Sequence, residues 1–288
     1  MDAQGGAAIA LAGLAAGAIN AVVGSGTLIT FPTLLALGYP PVTANVSNNI
    51  GLVFGGVSGA WGYREHLAGQ RARIRRLAPL SCLGAIVGAV LLLRLPGSAF
   101  AAIVPVLIAL SLVLVILQPR ISRAAAARRD ADARPAEGGS TDPAGTDPGS
   151  TKAAGTGLVS TTAAGDTVAL GGLALGGGVL LAGMYGGYFG AAQGVLLVGL
   201  LGSLLHESLQ RVNAAKNVLS LVVNSTAAVT FLVVRPAAVD WAVVALVAAG
   251  SVVGGLLGAR IGRWLPPVAL RAVIVVVGVV AIARLLLF

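Results

Sequence analysis

Apolar runs about twenty residues long, separated by short polar or basic stretches, fill most of this 288-residue chain. Six of them are uninterrupted: Ala44 to Tyr63, Leu77 to Arg94, Ala99 to Leu117, Val218 to Val234, Trp241 to Ala259, and Val268 to about Ile282. Each is close to the roughly 20 residues a helix needs to cross a bilayer, so six spanning helices are predicted. Two further apolar stretches, 7–37 and 168–205, are interrupted near their middles, at Gly24-Ser25-Gly26 and at Gly186-Gly187 with Gly190. Each reads as a helix, a glycine break and a shorter helix, which either crosses twice or dips in and returns.

The two interrupted stretches read as copies of one another. Gly17 pairs with Gly183 and Gly24 with Gly190 at an offset of 166, which returns for Gly84 with Gly250, Gly88 with Gly254 and Arg94 with Arg260. Asn45 with Asn213 and Asn49 with Asn217 give 168. The predicted organisation is a first transmembrane repeat (1–118), a disordered linker (119–166) and a second transmembrane repeat (167–288). Two crossings and a re-entrant hairpin both return the chain to its starting side, so three spanning helices per half leave each half an odd number of crossings. The halves are then inverted. Arginine placement agrees: with 64–76 inside, the inner face also receives Arg120 to Lys152, Arg211, Lys216, Arg260, Arg263 and Arg271, as the positive-inside rule requires. The fold class predicted is therefore all-α, a polytopic transmembrane bundle of two inverted repeats.

Composition sharpens this picture. With 57% hydrophobic and 10% charged residues, no surface of a soluble domain could hide the apolar area. Forty-one glycines suit closely packed membrane helices. The net charge of +9 lies mainly at the ends of apolar segments, which points to topology and not to nucleic acid as a partner. The N-terminus has no basic region before its first apolar run and is expected to stay as the first helix. One cysteine, Cys82, allows no intrachain disulfide and no metal cluster, so no metal and no cofactor are predicted. Residues 119–166 turn to Ala, Gly, Pro, Ser, Thr and Asp, too little apolar surface to repay the entropy of ordering.

The candidate chemistry sits at the breaks. A helix that begins inside the membrane leaves its first N–H groups unpaired and carries about half a positive charge there. Gly24, Ser25, Gly26 and Thr27 in one break, and Gly190 and Gln193 in the other, offer backbone, hydroxyl and amide donors to an anion. Matched glycine-broken helices in two halves are the sequence pointer to a transporter's binding site. Asn45, Asn49, Asn213, Lys216 and Asn217 open the helices that follow and would complete the polar lining. Their alternative role is capping at the interface, and for Lys216 snorkelling to the inner surface. Asn20, Tyr185 and Tyr188 either line the cavity or bond to neighbouring helices. None of the six spans carries Asp or Glu, and no phosphate-binding loop of the Walker type occurs, so neither ATP-driven pumping nor a titrating carboxylate at depth is predicted. No nucleophile, base and carboxylate come together within a span, which argues against an enzyme.

The run GSGTLITFPTLLALGYPPVTANVSNN with the later GYRE, and the run GGYFGAAQGVLLVGLLG followed by RVNAAKN, resemble the two characteristic blocks of the TauE/SafE family of sulfite exporters and related anion permeases. The similarity covers both halves and fails over the linker. Ser25 and Thr27 stand where the family often has glycine. The resemblance implies a multi-pass protein of a bacterial inner membrane that carries sulfite or a small organosulfur anion of the sulfonate type. The expected partners are that small anionic substrate and the lipid bilayer, with self-association as a homo-oligomer left open. The rival readings are a carrier of another small anion and a non-transporting membrane scaffold whose broken helices only pack.

Overall fold

The computed structural model describes residues 2–132, 161–205, 207–261 and, near the C-terminus, 272, 274–280, 282 and 283. The described residues form helices joined by short turns, without a strand. In order these are α1 (Ala3–Val22), α2 (Thr27–Ala36), α3 (Pro41–Gly62), α4 (Arg71–Arg94), α5 (Gly97–Asp132), α6 (Thr161–Tyr188), α7 (Gln193–Leu204), α8 (Leu209–Val234) and α9 (Trp241–Ile261). Residues 274–280 are helical as well.

Five of these helices are long and apolar enough to cross a membrane: α1, α4, α5 up to Arg120, α8 and α9. Four correspond to expected spans, and α1 is the first limb of an interrupted stretch. The expected span at 44–63 forms α3, which is long enough at 22 residues but is not among the five. Asn45, Ser47, Asn48 and Asn49 dilute its first half, and all four are buried. Of the expected span at 268–282, residues 272, 274–280 and 282 are described, and the others lie outside the described residues. The expected linker is helical at both ends, since α5 runs on to Asp132 and α6 begins at Thr161, and its middle lies outside the described residues.

Both glycine breaks terminate a helix in the same way. The N–H groups of Val23 and Gly24 both donate to the Ile19 carbonyl, at 2.7 and 3.0 Å, and those of Phe189 and Gly190 to the Tyr185 carbonyl, at 2.9 and 3.1 Å. Gly24 and Gly190 take φ values of +88° and +77°. A side chain in this left-handed region is strained, so glycine stops α1 and α6 at matching points. The helices that follow, α2 and α7, have 10 and 12 residues. At 1.5 Å per residue they reach only about 15–18 Å, roughly half of a bilayer core.

The halves are interlocked. α1 packs along α9 and α3, while α6 packs along α4. These contacts depend on glycine, because membrane helices associate by close backbone approach. A Cβ on Gly84 would stand 2.8 Å from the Met184 nitrogen, and one on Gly254 3.0 Å from the Ala18 nitrogen. A Cβ on Gly183 would meet Ser81, and one on Gly17 would meet Ser251. The contacts thus relate Gly84 to Gly254 and Ser81 to Ser251, an offset of 170 where repeat spacing alone suggested 166. The sequence offset matches a glycine to a glycine one helical turn away, since the glycines of α4 and α9 recur every four residues.

Candidate functional site

The two breaks touch. Gly194, in the first turn of α7, donates its N–H to the Gly24 carbonyl at 3.1 Å. A Cβ on Gly24 would lie 2.5 Å from the Gly194 Cα and 3.3 Å from the Lys216 Cδ. On the other flank, Phe31 of α2 meets Phe189 of the second break edge to face at 5.2 Å, and Phe100 of α5 packs on both. Three aromatic rings thereby hold α2, α5 and the second break together on one side of the crossing.

Lys216 on α8 is fully buried. Its ammonium donates to the carbonyls of Asn20 at 2.8 Å and Ala21 at 3.3 Å, and Asn217 Nδ2 donates to Ala21 at 3.2 Å. These are last-turn carbonyls of α1, which have no intrahelical partner. Among the described residues no carboxylate pairs with Lys216. In the other half Asn45 Nδ2 caps the end of α6 at the Tyr188 carbonyl, 3.0 Å away. Asn20 serves the break twice, because its Oδ1 also accepts the Gly26 N–H at 3.0 Å, just ahead of α2.

The remaining candidates surround this point. Thr27 Oγ1 accepts a long contact from Asn48 Nδ2 at 3.4 Å, and the Gln193 amide lies against Gly186. Ser25 Oγ, Gln193 Nε2, Asn49 Oδ1 and Asn213 Oδ1 are buried without a hydrogen-bond partner. Such groups cost free energy unless a ligand or water completes them. Tyr185 bonds to a neighbouring helix, its hydroxyl 2.6 Å from Ser111 Oγ. Three features of the site escape a reading of spacing: Gly194 as the contact between breaks, Asn20 as the cap ahead of α2, and Ser220 with Asn224 further along α8. The last two were legible as polar residues in an apolar run.

Residues 9–285 match the sulfite exporter TauE/SafE family. The chain belongs to that family. It is a multi-pass membrane protein, with five described helices able to span. A stretch of 98 residues is 32% identical to a protein described as "Probable membrane transporter protein ORF9" from Sinorhizobium sp.. That match covers 34% of this chain and 38% of the relative. No solved structure matches the chain.

Beyond the membrane core, a polar cluster joins the loop after α3 to the start of α8. Arg73 donates to Glu207 at 3.0 Å, Arg211 Nε donates to the other carboxylate oxygen, and Gln70 Nε2 reaches the Arg211 carbonyl at 3.0 Å. The Arg211 hydrogen bond, with that of Arg73, holds the Glu207 carboxyl below its ordinary range against a partial opposing effect of desolvation.

Proposed function

We propose that this chain is a membrane permease that moves sulfite, or a related small organosulfur anion of the sulfonate type, through a site between two broken helices near the middle of the membrane. The halves are taken as inverted repeats, with α2 and α7 entering to about mid-depth. The observation that carries this reading is the fully buried Lys216 ammonium at the place where the breaks meet, bonded to carbonyls and, among the described residues, paired with no carboxylate.

The electrostatics favour an anion. Each break exposes one negative helix end and one positive helix end, whose fields would largely cancel. Lys216 caps and neutralises the negative end of α1, which leaves the positive starts of α2 and α7 to dominate. A buried cation lacking a counter-charge is costly, and a bound anion supplies one. Ser25 Oγ–H and Gln193 Nε2–H would then donate to its oxygens, and Thr27, Asn45, Asn49, Asn213 and Asn217 would line the site. Membership of the sulfite exporter family supports sulfite as the first substrate to test, and the name of the Sinorhizobium relative supports transport.

One observation favours the scaffold reading: both hydrogen bonds of the Lys216 ammonium serve the fold as helix caps. Purified protein in liposomes separates the two. A permease gives sulfite-dependent flux that Lys216→Met abolishes, whereas a scaffold gives no flux with sulfite, sulfonates, sulfate or thiosulfate.

A further inference from the structure

Along α8, the polar residues Asn217, Ser220 and Asn224 recur at helical spacing and form one stripe on a spanning helix. They face Gly55, Gly56 and Gly59 of α3 across a cavity of about 20 Å³ that Asn20 and Ala21 also line. That is room for a single water. Asn224 is nine-tenths buried, and among the described residues its side chain makes no hydrogen bond, while the Ser220 hydroxyl is buried without a partner. Polar groups left unsatisfied at this depth call for a ligand or for water.

Of the glycines opposite, Gly55 packs closely on Ser251 of α9, whereas Gly56 and Gly59 do not serve close backbone packing of the kind seen in the seams between α1 and α9 or α4 and α6. A Cβ on Gly59 would meet Ala21 Cβ at an ordinary 3.6 Å, and one on Gly56 would meet the end of the Leu221 side chain at 3.2 Å and the Leu221 Cβ and Cα at an ordinary 3.7 and 3.8 Å. Alanine would fit at Gly59, so glycine there keeps space open. The cavity also borders the end of α1 that leads into the break, through Asn20 and Ala21. Asn20 Oδ1 is committed to the Gly26 N–H, which leaves its Nδ2–H groups free to donate, and the two carbonyls that hold the Lys216 ammonium belong to residues of the cavity wall. The nearest formal charge is therefore positive.

We infer that the seam between α3 and α8 is a second station for the transported anion, lined by Asn217, Ser220 and Asn224 and shut to the size of one water in this structure. It rests on the permease reading of the breaks. Neutral amide and hydroxyl donors suit a small oxyanion that has to leave again, because they bind it less tightly than a second cation would. Opening requires α3 and α8 to part along the glycine face, with the Leu221 side chain that lies against Gly56 moving away with α8.

The test uses the full chain in proteoliposomes, with Asn224→Leu and Ser220→Val. Initial sulfite flux should fall at least tenfold in each, while the rise in melting temperature with added sulfite, which reports the break site, stays within twofold of the unsubstituted chain. Folded variants that transport at the unsubstituted rate would overturn the inference. Should both variants misfold, Asn224→Cys on a Cys82→Ala background decides the matter. A sulfonate-bearing methanethiosulfonate should label it at least tenfold faster than the trimethylammonium analogue, with methanesulfonate protecting, and equal or reversed rates would overturn the station. Absence of flux from the unsubstituted chain would instead overturn the permease reading, and the labelling preference, which needs no flux, would still report whether the cavity takes anions.

Discussion

Gly194 donates its backbone N–H to the carbonyl of Gly24 at 3.1 Å, so the first turn of one short helix is bonded to the glycine that ends a helix in the other half. Nothing larger than hydrogen fits at this crossing. Gly24→Val meets both a left-handed backbone, φ +88°, and the Gly194 Cα 2.5 Å from its Cβ. At Gly190, φ is +77° and the nearest atom to a Cβ, the Gly186 carbonyl oxygen, is 3.2 Å away. Gly24→Val should therefore lower the melting temperature more than Gly190→Val, and both should abolish flux. Asparagine, which tolerates the left-handed region, should be accepted at 190 and not at 24. Equal tolerance of asparagine at both positions would show that the crossing is not tightly packed.

Ser25 offers the simplest separation of binding from folding. Its hydroxyl is fully buried without a partner, a burden on the empty protein. Ser25→Ala should leave thermal stability unchanged or raise it by about 1 kcal/mol. Anion affinity should weaken by the about 0.5–1.5 kcal/mol of one hydrogen bond, or roughly two- to tenfold. Calorimetric titration with sulfite checks this, and an affinity equal to that of the unsubstituted chain would remove Ser25 from the site.

For Lys216 two effects oppose each other. Methionine leaves the Asn20 carbonyl without its donor and the Ala21 carbonyl with Asn217 alone, but no longer buries an ammonium. The net loss of stability should not exceed about 1–3 kcal/mol. The response of the melting temperature to sulfite should disappear completely. Arginine should not rescue it, since a planar guanidinium does not fit a space built for a compact ammonium. A sulfite response that survives in Lys216→Met would confine the lysine to capping.

At the cluster of Arg73, Glu207 and Arg211, the carboxyl is held below its ordinary 4.5 by its arginine partners. A depressed carboxyl stabilises the fold above the unfolded value and loses that contribution as the pH falls through the lower, folded one. Acidification below about pH 4 should therefore loosen the contact between the loop after α3 and the start of α8. Hydrogen exchange at residues 64–70 should rise there in the unsubstituted chain, and Glu207→Gln should show the higher exchange already at pH 7.

Inverted repeats make a statement about sides. With Cys82 replaced, cysteines at Gln210 and Ser140 should react with an impermeant reagent from the cytoplasmic face, and one at Pro236 from the opposite face. Labelling of 140 and 210 from opposite faces would sink the inverted arrangement.

The sequence by itself determined the apolar helices, the two places where they break, and the family. Those depend on local properties, namely run length and the freedom of glycine at Gly24 and Gly190 to end a helix with positive φ. It also marked nearly every polar residue that gathers at the crossing, because an amide or an ammonium in an apolar run stands out wherever it points. What each one touches was decided only in three dimensions. Lys216 reaches Asn20 across 196 positions of sequence, and Asn45 reaches Tyr188 across 143. The one-turn correction from Gly250 to Gly254 has the same origin: glycines every four residues are interchangeable along one helix, and the backbone of the partner helix selects among them.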